Sequence, residues 1–205
     1  MKKGKGFIIT GLLLIAAALC IVLYNIRENL LAEQASVTVL EQMEKAAEVH
    51  GSVTEPEPAA DIVYPDYVLN PDKPLPVETI EGRGYVCVLR IPSIEIELPV
   101  CNQWDYDNLK KAPCRYVGTP YKDDFVICAH NYDIHFGKIK YLNYGDEVTF
   151  TDVEGNLFRY TVGSVETLQP EAVEQMTVSD WDLTLFTCTI GGATRVTVRC
   201  EKVEN

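Results

Sequence analysis

Residues 184–195 read TLFTCTIGGATR: an apolar stretch that ends at Cys188, a short connection, and a second apolar stretch that begins at Arg195. The connection contains Gly191 and Gly192, and glycine adopts the backbone angles that tight turns require. The pattern therefore predicts two adjacent antiparallel strands. Such a pairing would bring Arg195 close to Cys188 at one end of a sheet.

The chemistry of these residues depends on what lies near the thiol. A cysteine is a strong nucleophile only as a thiolate, so it needs a neighbouring base or positive charge. The chain has three histidines, and His130 ends the apolar run FVICAH much as Cys188 ends its own strand. Cys188, His130 and Arg195 therefore form a plausible set of nucleophile, general acid/base and anion stabiliser. His135, in the loop that follows, is the competing base, and His50 reads as an ordinary solvated residue.

The last strand offers a second arginine. Side chains alternate between the two faces of a strand. The face expected to look into the core carries Val196, Val198 and Cys200, and the opposite face carries Arg195, Thr197 and Arg199. Arg199 is thus the alternative to Arg195, which lies closer to the connection after Cys188.

At these residues the chain resembles the sortases, cysteine transpeptidases of Gram-positive cell surfaces, whose signature is Thr-Leu-x-Thr-Cys followed shortly by Arg. The resemblance extends to Leu89–Val100, which is similar to the first strands of the family. It also extends to CAHNYDIHFGKIKYLNYGDEV (128–148), which resembles the family's His-bearing strand end and the turn after it. It covers about residues 84–203, with the motifs in the family's order.

The resemblance implies a mainly β fold: a closed barrel of about eight strands with short helices, preceded by an N-terminal transmembrane helix. It implies that Cys188 attacks the Thr–Gly carbonyl of a C-terminal sorting motif like Leu-Pro-x-Thr-Gly. His130 would serve as general acid/base and Arg195 would stabilise the oxyanion or hold the substrate. Thr187 would contribute a hydroxyl or backbone N–H near the oxyanion, or would simply pack in its strand.

The implied partners are surface proteins that carry a sorting motif and the amine of a peptidoglycan precursor, a lipid II-type peptide. The surroundings of His130 resemble class B sortases, although the loop before the cysteine strand, about 169–182, is shorter than the insertion typical of that class. The sequence YPDY (64–67) does not follow the Asp-Pro-aromatic order of pilin-polymerising enzymes, which favours anchoring over pilus assembly.

Two other functions stay open. A hydrolytic cysteine peptidase would use the same three residues with water as acceptor, and a catalytically silent surface module would use the barrel only for binding.

Cys128 shares a face with His130, so a metal site formed with Cys188, or a disulfide between Cys128 and Cys188, is conceivable. Cys-x-His is not a usual zinc-ligand spacing and no fourth ligand is evident, so no metal is expected. No phosphate-binding loop or dinucleotide motif appears, and no cofactor is expected.

The N-terminus predicts a membrane anchor. An uncharged run occupies residues 7–24, about enough to cross an apolar core of about 30 Å. Three lysines within residues 1–6 predict a cytoplasmic N-terminus and a catalytic domain outside the cell. A cleaved signal peptide is the alternative. Residues 25–50 favour a helix that continues outward or packs on the domain.

The remaining chain divides by composition. Residues 51–80 hold six of the eleven prolines and predict an extended linker or a segment lying on the domain surface. Residues 81–205 form the catalytic domain. Strands are predicted at 85–91, 124–129, 147–152, 157–168, 183–187 and 194–203, with a hairpin turn at 153–156 and a short helix at 171–176.

Charge and cysteine content narrow the function further. The net charge of −12 disfavours nucleic-acid binding, since phosphates would be repelled. Seven cysteines in an exported protein would suit disulfides, but several sit in apolar strand patterns where a free thiol behaves as a small hydrophobe. Mostly free thiols are therefore expected.

Overall fold

The computed structural model describes residues 2–51, 65–178 and 180–203. The helices are α1 (Lys2–Gly51), α2 (Asp66–Leu69), α3 (Tyr106–Leu109) and α4 (Val173–Thr177), with short 3-10 helices at Pro92–Ile94 and Phe136–Tyr141. The strands are β1 (Glu78–Ile80), β2 (Arg83–Ile91), β3 (Ile96–Cys101), β4 (Cys114–Val117), β5 (Phe125–Ala129), β6 (Glu147–Asp152), β7 (Leu157–Leu168), β8 (Leu183–Cys188) and β9 (Arg195–Lys202).

Eight of these strands form a closed barrel. Their order is β2-β3-β4-β5-β8-β9-β7-β6, and β6 returns to pair with β2, while β1 extends the start of β2 as a short hairpin. Most neighbours are antiparallel, but β3–β4 and β5–β8 are parallel. The prediction of a closed barrel of about eight strands is confirmed, and six strands lie within two residues of their predicted bounds.

The barrel interior is filled by alternate side chains of its strands. In β6 the buried residues are Val148, Phe150 and Asp152, one on every second position. Phe150 packs against Phe125 and Phe158 at ring-centroid distances of 5.1 and 5.2 Å. Period-two burial is what a strand with one face on a core requires, which is why alternation located these strands in the sequence.

A second apolar cluster covers part of the outer face of the barrel, beneath α1. The residues of α1 that lose most exposure recur at helical spacing: Ala32, Ser36, Val39 and Met43. Val39 and Met43 belong to one apolar cluster with side chains of β1 to β5, and the Ser36 hydroxyl donates to the Lys111 carbonyl at 3.3 Å. Helix α1 is therefore both the predicted apolar segment and a component of the domain.

Part of the predicted linker also lies on the barrel. The Tyr67 ring stacks on Tyr121 with centroids 4.7 Å apart, and Leu75 is buried in the interior cluster. Lys73 forms an ion pair with Glu154 at 3.1 Å. Residues 65–80 thus form a segment that lies on the domain surface, which was one of the two predictions for this stretch. Residues 52–64 of the predicted linker lie outside the described residues.

Candidate active site

Three neighbouring strands end or begin together at one end of the barrel. In the parallel pair of β5 and β8, Ala129 lies opposite Thr187, so His130 and Cys188 come next on the two chains. In the antiparallel pair of β8 and β9, Cys188 lies opposite Arg195. Adjacent strands are about 4.8 Å apart, which leaves Cys188 between the histidine on one side and the arginine on the other.

These three residues belong to the outer face of the barrel. Cys128 and Phe186, two positions earlier on β5 and β8, both pack in the outer cluster. Because side chains on one face recur every second residue, His130 and Cys188 share that face. The structure thus brings the predicted nucleophile, base and arginine together outside the barrel interior, where a peptide can approach.

His130 and His135 occupy different environments. His130 is half-buried, and its ring lies 4.9 Å from that of Tyr132. Burial lowers the pKa of His130, and the charge of Lys110 lowers it further. Its imidazole is therefore predominantly neutral at pH 7 and able to accept a proton.

His135 is completely buried, and its ring lies 5.5 Å from that of Tyr132. Burial lowers the pKa of His135 to about 4, and the neighbouring His130 contributes to the decrease. A fully buried imidazole cannot reach a peptide substrate. His135 lies inside the loop that follows β5, whereas His130 is only half-buried and lies at the strand end next to Cys188.

The two candidate arginines also differ in burial and in their hydrogen-bond partners. Arg199 is buried, and its guanidinium donates to Glu166 at 2.7 Å, to the Thr184 hydroxyl at 3.0 Å and to the Gln175 carbonyl at 2.5 Å. Those contacts tie α4 to β9. Arg195 is half-exposed, and its guanidinium donates to the backbone carbonyls of the β8–β9 loop.

The loop between Cys188 and Arg195 is held by its own hydrogen bonds. The Thr189 N–H donates to the Thr194 carbonyl at 2.9 Å, and the Thr194 N–H donates to the Thr189 hydroxyl at 3.1 Å. Gly191 and Gly192 have φ values of +83° and +76°, a region that other residues rarely adopt. This closed turn fixes where Arg195 begins its strand relative to Cys188.

Thr187 lies at the parallel seam between β5 and β8. Its side chain is buried, and the hydroxyl donates to the Ala129 carbonyl at 2.8 Å. The bond links the residue before Cys188 to the residue before His130. In this arrangement the hydroxyl proton is directed at the protein backbone.

A cavity of about 360 Å³ opens beside the thiol of Cys188. The loop after β5 and the 3-10 helix that follows it contribute Asn131, Phe136 and Lys140, and the β8–β9 loop contributes Ile190. Cys188 itself is half-exposed.

A row of buried cysteines leads to the site, and sequence reasoning missed it. Cys101 lies opposite Cys114, and Cys114 lies opposite Cys128, on the adjacent strands β3, β4 and β5. Burial, with a smaller contribution from Cys188, raises the pKa of Cys128 to about 12, so it stays protonated. All the cysteines are free thiols, and no group of metal-ligating side chains occurs within the described ranges. Only the strand order, in which β3, β4 and β5 lie side by side and β5 pairs with β8, could have revealed the row.

The model of the sortase domain family matches residues 89–203, more than half of the chain. Among solved structures, the chain is similar to sortase A from Corynebacterium diphtheriae, with 21% identity, a TM-score of 0.56, and coverage of 88% of this chain and 93% of that one. It is also similar to sortase C1 from Streptococcus agalactiae, with 24% identity, a TM-score of 0.55, and coverage of 62% and 72%.

A third similar structure is a Clostridium perfringens sortase D5 transpeptidase, with 20% identity, a TM-score of 0.53, and coverage of 62% of this chain and 83% of that one. At these identities the structural likeness concerns the fold. No curated protein matches the chain.

Proposed function

Since this chain belongs to the sortase family of cysteine transpeptidases, we propose that it cleaves a sorting motif like Leu-Pro-x-Thr-Gly through Cys188 and transfers the product to an amine. The donor would be the C-terminal region of a surface protein, and the acceptor a lipid II-type cell-wall precursor peptide. The observation that carries the assignment is the adjacency of His130, Cys188 and Arg195 on three neighbouring strands. The class B-like character inferred from the sequence stays a prediction.

The first half-reaction makes a thioester. The neutral imidazole of His130 accepts the thiol proton of Cys188, and the thiolate adds to the carbonyl carbon of the motif's threonine. Arg195 compensates the negative charge that develops on the carbonyl oxygen. As the tetrahedral intermediate collapses, the peptide C–N bond breaks and His130 returns the proton to the departing glycine amine.

The second half-reaction consumes the thioester. The acceptor amine adds to the thioester carbonyl, and His130 takes the proton that the nitrogen must lose. Arg195 again faces the oxyanion. The C–S bond then breaks, which restores Cys188, and a new amide joins the surface protein to the precursor.

Thr187 is assigned a positioning role in this scheme. Its hydroxyl is engaged with the Ala129 carbonyl, so it fixes the spacing between the strand ends that carry Cys188 and His130. Its backbone N–H lies within β8, which is paired at this residue with Ala129 of β5 and with Val196 of β9. The oxyanion contribution that the resemblance implies, from the hydroxyl or the backbone N–H, stays a prediction, with packing in the strand as its alternative.

The chain is proposed to be anchored in the cell membrane. Its N-terminal helix is long and apolar enough to cross a bilayer. The proposed arrangement is a cytoplasmic segment at 1–6, a membrane span at 7–24, a helical segment at 25–50, a connecting segment at 51–80, and an extracellular catalytic domain at 81–205.

The test uses the full-length protein and a panel of fluorescence-quenched sorting-motif peptides, with products identified by mass in the presence and absence of a glycine peptide. Cleavage that becomes amine-ligated product is expected, and Cys188→Ala should abolish both. Cys128→Ala, which removes the neighbouring buried thiol, is the matched control and should retain transfer. Hydrolysis alone, unchanged by amine, would indicate a peptidase instead, and a folded protein that neither turns over nor alkylates at Cys188 would indicate a binding module.

A further inference from the structure

The apolar part of α1 ends almost where its contact with the domain begins. Side chains from Phe7 to Ile26 are largely exposed, and Glu28 is the first polar residue of α1 to become half-buried, followed by the fully buried Ala32. Only residues 25–27 separate the uncharged run from this contact. At about 1.5 Å per residue, that interval measures about 6 Å along the helix.

Helix α1 is a continuous rod through this junction. It runs from Lys2 to Gly51, and the sequence from Asn25 to Met43 contains neither glycine nor proline, the usual causes of kinks. The orientation of the domain relative to a membrane is therefore set by which part of the barrel meets which part of α1.

The catalytic end of the barrel meets the N-terminal part of the packed segment. Glu33 and Ser36 line a cavity together with Asp133 and Ile134, which belong to the loop directly after His130. The Ser36 hydroxyl also bonds the Lys111 carbonyl.

Closer to the membrane, Tyr132 interacts electrostatically with α1. Burial raises the pKa of Tyr132, and the nearby Glu28 and Tyr24 raise it further. The Tyr132 ring also lies 4.9 Å from the ring of His130.

The opposite end of the packed segment meets a different part of the barrel. Met43 and Glu44 line a cavity with Val153, Glu154 and Gly155, at the hairpin between β6 and β7. Met43 lies fifteen positions after Glu28, which corresponds to about 22 Å along the helix axis. The hairpin is therefore membrane-distal when the catalytic end is membrane-proximal.

The rim of the cleft has side chains suited to a lipid headgroup region. Ile190, in the loop after Cys188, is 87% exposed, and Tyr141 is 66% exposed with the Lys140 ammonium 4.9 Å from its ring centroid. Lys140 and Ile190 line the cavity beside Cys188. Aromatic residues and lysines with apolar neighbours are typical of membrane–water interfaces.

We propose that α1 holds the catalytic end of the barrel against the outer surface of the bilayer, so that the cleft receives substrates that are themselves attached to the membrane. The partner is the lipid surface, and what the inference adds to the proposed function is the orientation of the catalytic end and its closeness to the bilayer. The substrate part of this inference rests on the proposed function, whereas the orientation rests only on the proposed membrane span.

The first test increases the distance between the catalytic domain and the bilayer without changing the site. Seven helix-forming residues inserted after Asn25 add about two turns and about 10 Å while nearly preserving the rotational phase of α1. The full chain is reconstituted in phosphatidylglycerol–phosphatidylcholine vesicles and given one sorting motif in two forms, as a soluble peptide and as the same peptide fused to a membrane-spanning segment.

Turnover of the soluble peptide should change less than about twofold, and turnover of the anchored peptide should fall about tenfold or more, because the two reacting groups no longer share a height above the bilayer. The same seven residues inserted within 52–64 leave the interval between Tyr24 and Glu28 unchanged and should retain both activities. Equal turnover of both substrates after the first insertion would overturn the proposal.

The second test measures the orientation of the domain relative to the bilayer and does not require turnover. Ile190→Trp and Leu157→Trp place a fluorophore at the catalytic end and near the β6–β7 hairpin, and quenching by brominated phosphatidylcholine is measured relative to the parent chain. Stronger quenching at position 190 is expected, and equal or stronger quenching at position 157 would contradict the orientation. If neither peptide is turned over but position 190 is quenched, the proposed function fails and the orientation stands.

Discussion

Replacement of His135 by phenylalanine should remove a large part of the acid sensitivity of the fold. His135 is completely buried, and its imidazole is neutral in the folded state because burial lowers its pKa from 6.5 to about 4. In the unfolded chain the same group takes up a proton below about pH 6.5. The unfolded state therefore binds more protons than the folded state between these two values, and stability decreases as the pH falls.

The magnitude follows from that pKa difference. One pH unit is worth about 1.36 kcal/mol, so acidification from above pH 6.5 to about pH 4 should cost about 3 kcal/mol through His135 alone. Phenylalanine has a similar size and cannot titrate. The His135→Phe variant should lose less stability than the parent chain over this interval.

The assay is urea unfolding of residues 25–205, which keep the packed part of α1, at several pH values from 7.5 to 4.5. The carboxyl groups titrate in both proteins, so the difference between their free energies of unfolding isolates His135. His130→Gln is the control. Because His130 is only half-buried, this variant should still lose most of the stability that the parent chain loses on acidification. An unchanged pH dependence in His135→Phe would show that His135 is not held neutral by burial.

Three further predictions concern the site and its support. Arg195→Met should lower kcat/KM by about a hundredfold or more with little loss of stability. Arg199→Met should instead cost about 2–3 kcal/mol in urea unfolding, because the buried guanidinium loses its bonds to Glu166, Thr184 and Gln175; the reverse pattern would exchange their roles. Thr187→Val should cost about 1 kcal/mol through the lost bond to the backbone, with kcat falling more than KM changes; an effect on KM alone would refute positioning. Lys110→Gln should raise the pKa of His130 and move the acid limb of the pH–rate profile upward, while the remote Lys122→Gln leaves it unchanged.

The barrel could be predicted well because its strands carry their own signals. In β6 and β7 apolar residues alternate with polar ones on either side of Gly155, and both strands have the predicted bounds. Strand β4 was not predicted, because Cys114–Val117 is short and its pairing with β5 contains an irregular register between Arg115 and Val117. Such a strand is stabilised by its neighbours rather than by its own pattern.

The parts of the site that depend on neighbouring residues in the sequence were predictable. The turn after Cys188 implies its pairing with Arg195, and that pairing is present. The burial of Arg199 was not predictable from alternation, because it depends on Glu166 and on α4, which reach it only in the folded barrel. The contact between α1 and the loop after His130 is equally non-local, since a helical pattern gives its apolar face but not what that face covers.

The most direct test of the central claim is the mass of the full-length enzyme quenched with acid during turnover of a cleaved sorting peptide. A thioester should form between the sulfur of Cys188 and the threonine carbonyl of the motif, and digestion should map the added mass to Cys188 among the seven cysteines. The adduct should disappear when an amine acceptor is added and should be absent from Cys188→Ala. An adduct on Cys128 or another thiol, or turnover without any covalent intermediate, would contradict the account.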